Sequence, residues 1–393
     1  RAEGDGLCDA GAPALPDLSF PSDLCAESAP TNNERYFGGI IMNKIKTAIV
    51  GCGGIALNAH LPAIQSLENV EIVAICDSNP AKLDPFEEKI GCRVEKFTDY
   101  KDLLAKIKPD AVHVCTPNYV HAEIASAALL AGADVLCEKP DAMTAVQVEE
   151  MKAARDRSGK TLLVMRNNRF LDASDVVRSL IKGGRTGELY TGRCGWIRRR
   201  GIPGAGGWFT TKAQSGGGPL IDLGVHFIDL AMHFMGSPKP VAVSGCTYCK
   251  FADSTISDSV HSQFGEKVAG GTFDVEDLSI GFIRFADGRS LQIEFSWASN
   301  IEEEKNFVEL RGEKLGFTIC NDQLTVYGEQ AGHLTDTKVH VGPNFGHARY
   351  IRHFYDVAYN GAEPIYDIEE GINMIRILNA MYESAATGKE VRL

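Results

Sequence analysis

The sequence predicts an α/β protein, with a doubly wound parallel sheet followed by an α+β domain built on a large, mainly antiparallel open sheet. Three observations carry this. Between residues 47 and 164 short apolar runs alternate with helix-like stretches, which demands crossover connections and therefore parallel strands. A glycine-rich turn, Gly51-Cys52-Gly53-Gly54, follows the first of these runs directly. Beyond about residue 170 apolar and polar residues alternate instead, as in Leu291-Gln292-Ile293-Glu294-Phe295, the pattern of a sheet with one covered face.

In chain order, the first part reads as strands at 47–50, 70–76, 111–115, 134–137 and 161–165, with helices such as 119–131 and 145–157 between them. Thr144, with Gln147 three residues on, supplies a capping box for the last of these helices. β-rich segments follow at 188–198, 241–248, 277–285, 290–299, 306–311 and 317–320. An amphipathic helix at 368–384 closes the chain and is expected to pack back on the first domain. The domains are read as 42–165 and 166–393. Residues 1–41 stand apart, with four prolines, seven acids and only Arg1 and Arg35 as bases. They lack the basic start and apolar run of a secretory signal. Met42-Asn43-Lys44 leading into Ile45 looks like the natural start of a cytoplasmic protein, so residues 1–41 are expected to be a non-native or disordered extension.

Composition narrows the partners. Of 393 residues, 44% are apolar and 23% charged, as in an ordinary globular chain. No apolar run reaches the roughly 18 residues of a membrane span. Forty Lys and Arg against 52 Asp and Glu leave a net charge of −12, which disfavours nucleic acid and anionic lipid and points to a small molecule. Eleven cysteines, an odd number, with Cys52, Cys76, Cys115 and Cys137 in apolar stretches, favour a reducing compartment. Cys246 and Cys249 have CxxC spacing without the second half of a zinc site, so no metal is expected.

The glycine turn has the chemistry of a dinucleotide site. Gly51, Gly53 and Ala56 stand in GxGxxG/A register after a strand: the first allows the tight turn, the second admits a pyrophosphate, and the third lets helix and strand pack. The helix that follows, starting near Gly54 and Ile55, offers free N–H groups to phosphate. Asp77 ends the second strand 26 residues after Gly51, where its carboxylate can take both ribose hydroxyls. Ser78 and Asn79 follow it, with no arginine for a 2′-phosphate, so NAD is expected rather than NADP. Thr116, Asn118 and His121 lie at the carboxyl end of the third strand read here, where ligands gather. Asn118 is assigned to the cofactor; His121 is a cofactor contact or else a helix cap or surface histidine.

Two further motifs, Glu138-Lys139-Pro140 after the fourth strand read here and Gly216-Gly217-Gly218-Pro219-Leu220-Ile221-Asp222-Leu223-Gly224-Val225-His226-Phe227-Ile228-Asp229, complete the pattern. Asp222, His226 and Asp229 share one face if the segment is helical. With the glycine turn and Thr116-Pro117-Asn118, the chain from about residue 45 to the C-terminus resembles the glucose–fructose oxidoreductase / inositol dehydrogenase / rhizopine catabolism (Gfo/Idh/MocA) family. The resemblance implies a Rossmann domain binding NAD, with Glu138 and Lys139 beside the cofactor. It also implies that Lys139 bonds the reacting hydroxyl, that His226 is the general acid/base, and that Asp222 positions substrate or histidine. A cis Lys139–Pro140 bond is implied too, as is a homodimer or homotetramer through the C-terminal sheet. On chemical grounds His226 is expected to titrate near neutrality.

The segment from Trp196 through Arg198, Arg199, Arg200 and Gly201-Ile202-Pro203-Gly204 to Trp208 precedes these catalytic candidates. Its aromatic faces and bases suit a sugar, with Arg198 and Trp208 as substrate contacts, or else serve as a core anchor and a solvated run. This form looks like family members that oxidise pyranosides, some at C3. A sugar or glycoside dehydrogenase is therefore expected. Inositol or polyol oxidation, an NAD-dependent glycosidase working by transient C3 oxidation, and a non-catalytic NAD-binding regulator are the alternatives.

Overall fold

The computed structural model describes residues 44–393; the extension expected over 1–41 lies outside them. The first sheet has six strands: β1 (Ile45–Val50), β2 (Val70–Cys76), β3 (Glu95–Phe97), β4 (Ala111–Val114), β5 (Asp134–Cys137) and β6 (Leu162–Val164). All pairs are parallel and the order is β3-β2-β1-β4-β5-β6. Chain direction around the sheet reverses between β1 and β4, which opens a crevice at their carboxyl ends. Helices cover both faces, so β4, β5 and β6 are buried at every residue, and continuous apolar runs are what such strands require. The strand absent from the sequence reading, β3, is a three-residue edge strand with Glu95 and Lys96 exposed.

The second sheet holds β7 (Leu189–Ile197), β8 (Pro240–Tyr248), β9 (Leu278–Phe285), β10 (Ser290–Ser296), β11 (Lys305–Gly312), β12 (Gly316–Cys320), β13 (Gln323–Gln330), β14 (His333–Val339) and β15 (Val391–Arg392). Its order is β14-β13-β12-β11-β7-β10-β9-β8-β15, antiparallel throughout except for β7 with β10. Leu291, Ile293 and Phe295 point inward from β10 and Val308 and Leu310 from β11. Helices Val225–Phe234 and Ile368–Thr387 pack on the second sheet. The C-terminal helix also reaches the first domain, where Arg376 pairs with Glu149 at 2.9 Å and Lys152 with Glu369 at 3.1 Å.

A buried ionic cluster ties the helix carrying His226 to the end of the first sheet. Asp229 takes Arg166 Nε at 2.9 Å and both Arg169 Nε (2.8 Å) and an Arg169 terminal nitrogen (2.6 Å). Arg166 also reaches Asp141 at 2.5 Å, and Asp141 bonds the Tyr366 hydroxyl. Asp229 therefore does not join Asp222 and His226 in a common site, as one helical face had suggested. It lies one turn further along, where two buried guanidiniums occupy its oxygens. Arg166, Arg169, Asp141 and Asp229 are each at most 4% exposed. A buried pair broken from one side leaves an uncompensated charge. Replacing Asp229 with Ala is therefore expected to cost about 3–5 kcal/mol of stability, measured by denaturant unfolding of both proteins.

Candidate active site

At the carboxyl ends of β1, β2, β4 and β5 lies one cavity of about 890 Å³, closed from the other side by the second sheet. Gly51 has φ +97°, and a Cβ there would stand 2.5 Å from the Cys115 carbonyl oxygen, so only glycine lets β1 turn against the end of β4. Gly53 differs: nothing lies within 4 Å of where its Cβ would be. With Gly54 and Ile55 it lines the open cavity, just ahead of the π-type turn Ala56–His60. The first amides of a helix have no intrahelical acceptor and are free for an anion. Asp77 braces this turn, its carboxylate accepting from the Cys52 and Asn79 amides, both at 2.9 Å. A carboxylate retains further lone pairs for ribose hydroxyls. These residues fit a dinucleotide.

The turns after β4 and β5 form the next wall. Thr116 lines the cavity with its buried hydroxyl unpartnered among the described residues, and Asn118 lines it while donating to the Ser215 carbonyl at 2.7 Å. His121 does not reach the cavity. Its ring sits between the carbonyls of Pro140 and Thr116, 2.8 Å from each, and pegs the two turns together from the first turn of its helix. Fully buried, and with Val120 at the cap position, His121 is neither the cofactor contact nor the helix cap or surface histidine that the sequence offered.

Glu138 lines the cavity, yet its side chain is almost wholly buried against His60, whose Nε2 is 2.8 Å from Oε1. Burial acts to raise its carboxyl pKa, but the His60 hydrogen bond and the fields of His60, His347 and Lys139 outweigh this and bring it to about 2. An ionised carboxylate only accepts, so His60 carries a proton on Nε2. The line continues inward from His60 Nδ1 to His113 Nδ1 (2.7 Å), His113 Nε2 to the Tyr355 hydroxyl (2.9 Å), and Tyr355 to Thr47 Oγ1 (2.9 Å). The two facing Nδ1 atoms share a single proton.

Lys139 follows Glu138, and its bond to Pro140 is cis. Its ammonium crosses to the second domain and donates to Asp222 Oδ1 at 2.9 Å and to the Asp222 carbonyl at 3.1 Å. The other carboxylate oxygen of Asp222 accepts from the indole N–H of the fully buried Trp297 at 3.0 Å. Burial would raise the Asp222 pKa, but Lys139, Arg198 and these hydrogen bonds hold it at about 2. Asp222 sits in the π-type turn Leu220–Gly224 and His226 in the helix that follows; both line the cavity. Burial, reinforced by the nearby Lys139 charge, lowers the His226 pKa to about 3. Its ring is neutral at working pH and does not titrate near neutrality.

In the arginine-rich segment, Arg198 turns inward, with its guanidinium 4.3 Å from the Trp196 ring centroid, and Trp208 stacks on Phe209 at 3.8 Å. All four line the cavity, whereas Arg199 pairs outside it with Asp258 and Arg200 bonds the Ser299 carbonyl. Every proposed site residue except His121 thus meets in one space. His347, Asn167, Asn306, Asp322 and Asn344 line it as well and were not anticipated; they come from distant segments with no motif. Trp297 had a signal, since the inward alternation of Leu291, Ile293 and Phe295 runs on to it.

Comparison with known proteins gives the family of the chain. Residues 45–166 match the model described as the oxidoreductase family, NAD-binding Rossmann fold (GFO_IDH_MocA), and residues 178–393 match its C-terminal alpha/beta domain. The chain belongs to the Gfo/Idh/MocA oxidoreductase family. Among its relatives, a D-glucoside 3-dehydrogenase of Escherichia coli (strain K12) is 34% identical over 89% of this chain and 97% of its own length. A putative UDP-kanosamine synthase oxidoreductase subunit of Amycolatopsis mediterranei is 32% identical over 68% of this chain and 73% of its own. In fold, levoglucosan dehydrogenase in complex with NADH superposes with a TM-score of 0.76, at 22% identity over 89% of this chain and 99% of that one.

The two glycines separate fold from binding. Gly51→Ala should lower the melting temperature, because backbone must move. Gly53→Ala should melt like wild type but bind dinucleotide about tenfold or more weakly, the scale of ~1.4 kcal/mol. Thermal melts and fluorescence titration with NAD check both.

Proposed function

We propose that the chain is an NAD-dependent dehydrogenase of sugars or glycosides that oxidises a secondary hydroxyl, with C3 of a glucoside preferred. The observation that carries this reading is the Lys139 ammonium, 2.9 Å from Asp222 and sharing one cavity with His226 and the glycine turn. The identity to a D-glucoside 3-dehydrogenase over nearly its whole length supports the C3 preference. NAD is favoured over NADP because Asp77, braced by two amides, would repel a 2′-phosphate, while Lys82 at the same end is paired with Glu266 at 3.3 Å.

Bound NAD supplies the hydride acceptor. An ammonium has three donors, and two of those on Lys139 are spent on Asp222, which leaves the third for the substrate hydroxyl oxygen. There it stabilises the alkoxide character that develops as the C–H bond breaks. Asp222 holds the lysine rather than the histidine, and Trp297 holds Asp222. The ring of His226, with no hydrogen-bond partner among the described residues, takes the hydroxyl proton; the Asp222 carboxylate favours the imidazolium that forms.

Purified protein screened with NAD against pyranosides and inositols, following NADH absorbance and product mass together, tests the reading; inositol turnover without pyranoside turnover would refute it. Lys139→Ala and His226→Ala are each expected to lower kcat by about a hundredfold or more while NAD still binds; near-wild-type turnover in both removes the mechanism. With the His226 pKa at about 3, its acceptor form is complete from pH 8 down to pH 5. Over that range kcat/KM should change by less than about twofold, whereas a histidine at its ordinary value would cost about thirtyfold. A stopped-time assay across the range, with buffers of constant ionic strength, decides between them.

A further inference from the structure

The cavity does not end at the catalytic candidates. Past Trp196 and Arg198 it runs on to Asn306 at the start of β11, Asp322 in the two-residue turn between β12 and β13, and Asn344 ahead of the helix Gly346–Asn360. We propose that this far end is a binding site for the second sugar ring of a disaccharide, with Asp322 and Asn344 as its specificity-determining residues. The proposal rests on the reading that Lys139 and His226 act on a pyranoside.

Sheet order sets the reach. Asp222 is pinned by Trp297, which directly follows β10, and the order β10-β7-β11-β12 puts the β12–β13 turn three strands away. At about 4.8 Å per strand this is roughly 14 Å. A pyranose with its hydroxyls, built from bonds of about 1.5 Å, spans roughly 7 Å. One ring with its reacting hydroxyl at Lys139 therefore falls short of Asp322, and two linked rings cover the span.

The chemistry of the wall points to hydroxyls. Asn344 donates to Asp322 Oδ2 at 3.2 Å, leaving Oδ1 without a partner among the described residues, and the Asn306 side chain is likewise unpaired. Carboxamides and one carboxylate offer donors and acceptors together, which suits a polyol. The same carboxylate, with no ion pair among the described residues, disfavours the diphosphate of a nucleotide sugar. Midway, Arg198 is 4% exposed, its guanidinium donating to the Gly201 carbonyl at 3.1 Å and paired with Glu304 at 3.9 Å. Arg198 stacks on Trp196, its guanidinium 4.3 Å from the ring centroid, and the two side chains line the stretch between the catalytic candidates and this far end, where the linkage between the rings would lie.

The test compares methyl α-D-glucoside with maltose, cellobiose, trehalose and sucrose, using wild type and Asp322→Ala, by NADH formation and by calorimetric binding in the presence of NAD. At least one disaccharide should exceed the methyl glucoside about tenfold or more in kcat/KM, and Asp322→Ala should lower that ratio by a similar factor, the scale of one or two lost hydrogen bonds to a charged group. Disaccharides no better than the methyl glucoside, or a ratio that Asp322→Ala leaves unchanged, overturn the site. If no sugar is oxidised but disaccharide binding still weakens selectively in Asp322→Ala, the dehydrogenase reading falls and the site stands. If that binding difference is absent, the site falls. Asn344→Ala, whose side chain is at the surface, repeats the measurement should Asp322→Ala fail to fold.

Discussion

The bridge from Lys139 to Asp222 is the contact on which the site depends. It joins the end of a strand in one sheet to a helical turn over the other, across the cavity that the glycine turn and His226 both line. A lysine on a flexible stem loses considerable side-chain freedom when held in one place. Here a carboxylate and a carbonyl of the same residue hold it, and Trp297 fixes the carboxylate in turn. The Lys139 end of the bridge helps to hold the Asp222 carboxyl low and adds to the burial that keeps His226 unprotonated, so one side chain sets position and charge together.

Both ends of the bridge stand on buried polar networks. Under Lys139, Glu138 is anchored by His60 and the line through His113 to Tyr355 and Thr47. Beyond Asp222, Asp229 is gripped by Arg166 and Arg169. Charges in such places are tolerated only when paired, and their pairing geometry admits few alternatives. The networks thus restrict the two domains to an arrangement in which the lysine reaches its partner. His121, wedged between the turns after β4 and β5, sets a ring nitrogen 2.8 Å from a carbonyl of each.

Strands covered on both faces were legible because burial there forces unbroken apolar runs, and β2 and β5 were read to their end residues. β13 and β14 were not read: at the edge of the second sheet they are largely exposed and carry mostly polar side chains, with only Leu324 and Val326 of β13 turned to the core. In the site, the glycine turn, Glu138-Lys139-Pro140 and the run to His226 were legible because each is a local spacing with a local purpose. His347, Asn306 and Asp322 were not, since they arrive from other elements and serve the cavity only once the sheets are stacked.

The sequence alone determined which side chains are candidates for the chemistry: a turn too tight for any Cβ, a carboxylate after the second strand, and a lysine and an imidazole in recognisable runs. Tertiary structure decided what those groups do. It pointed His121 away from the cavity and spent Asp229 on arginines, and it kept the His226 ring neutral. Spacing along a chain encodes local backbone geometry, whereas charge state and reach depend on desolvation and on neighbours from remote segments, which exist only after folding.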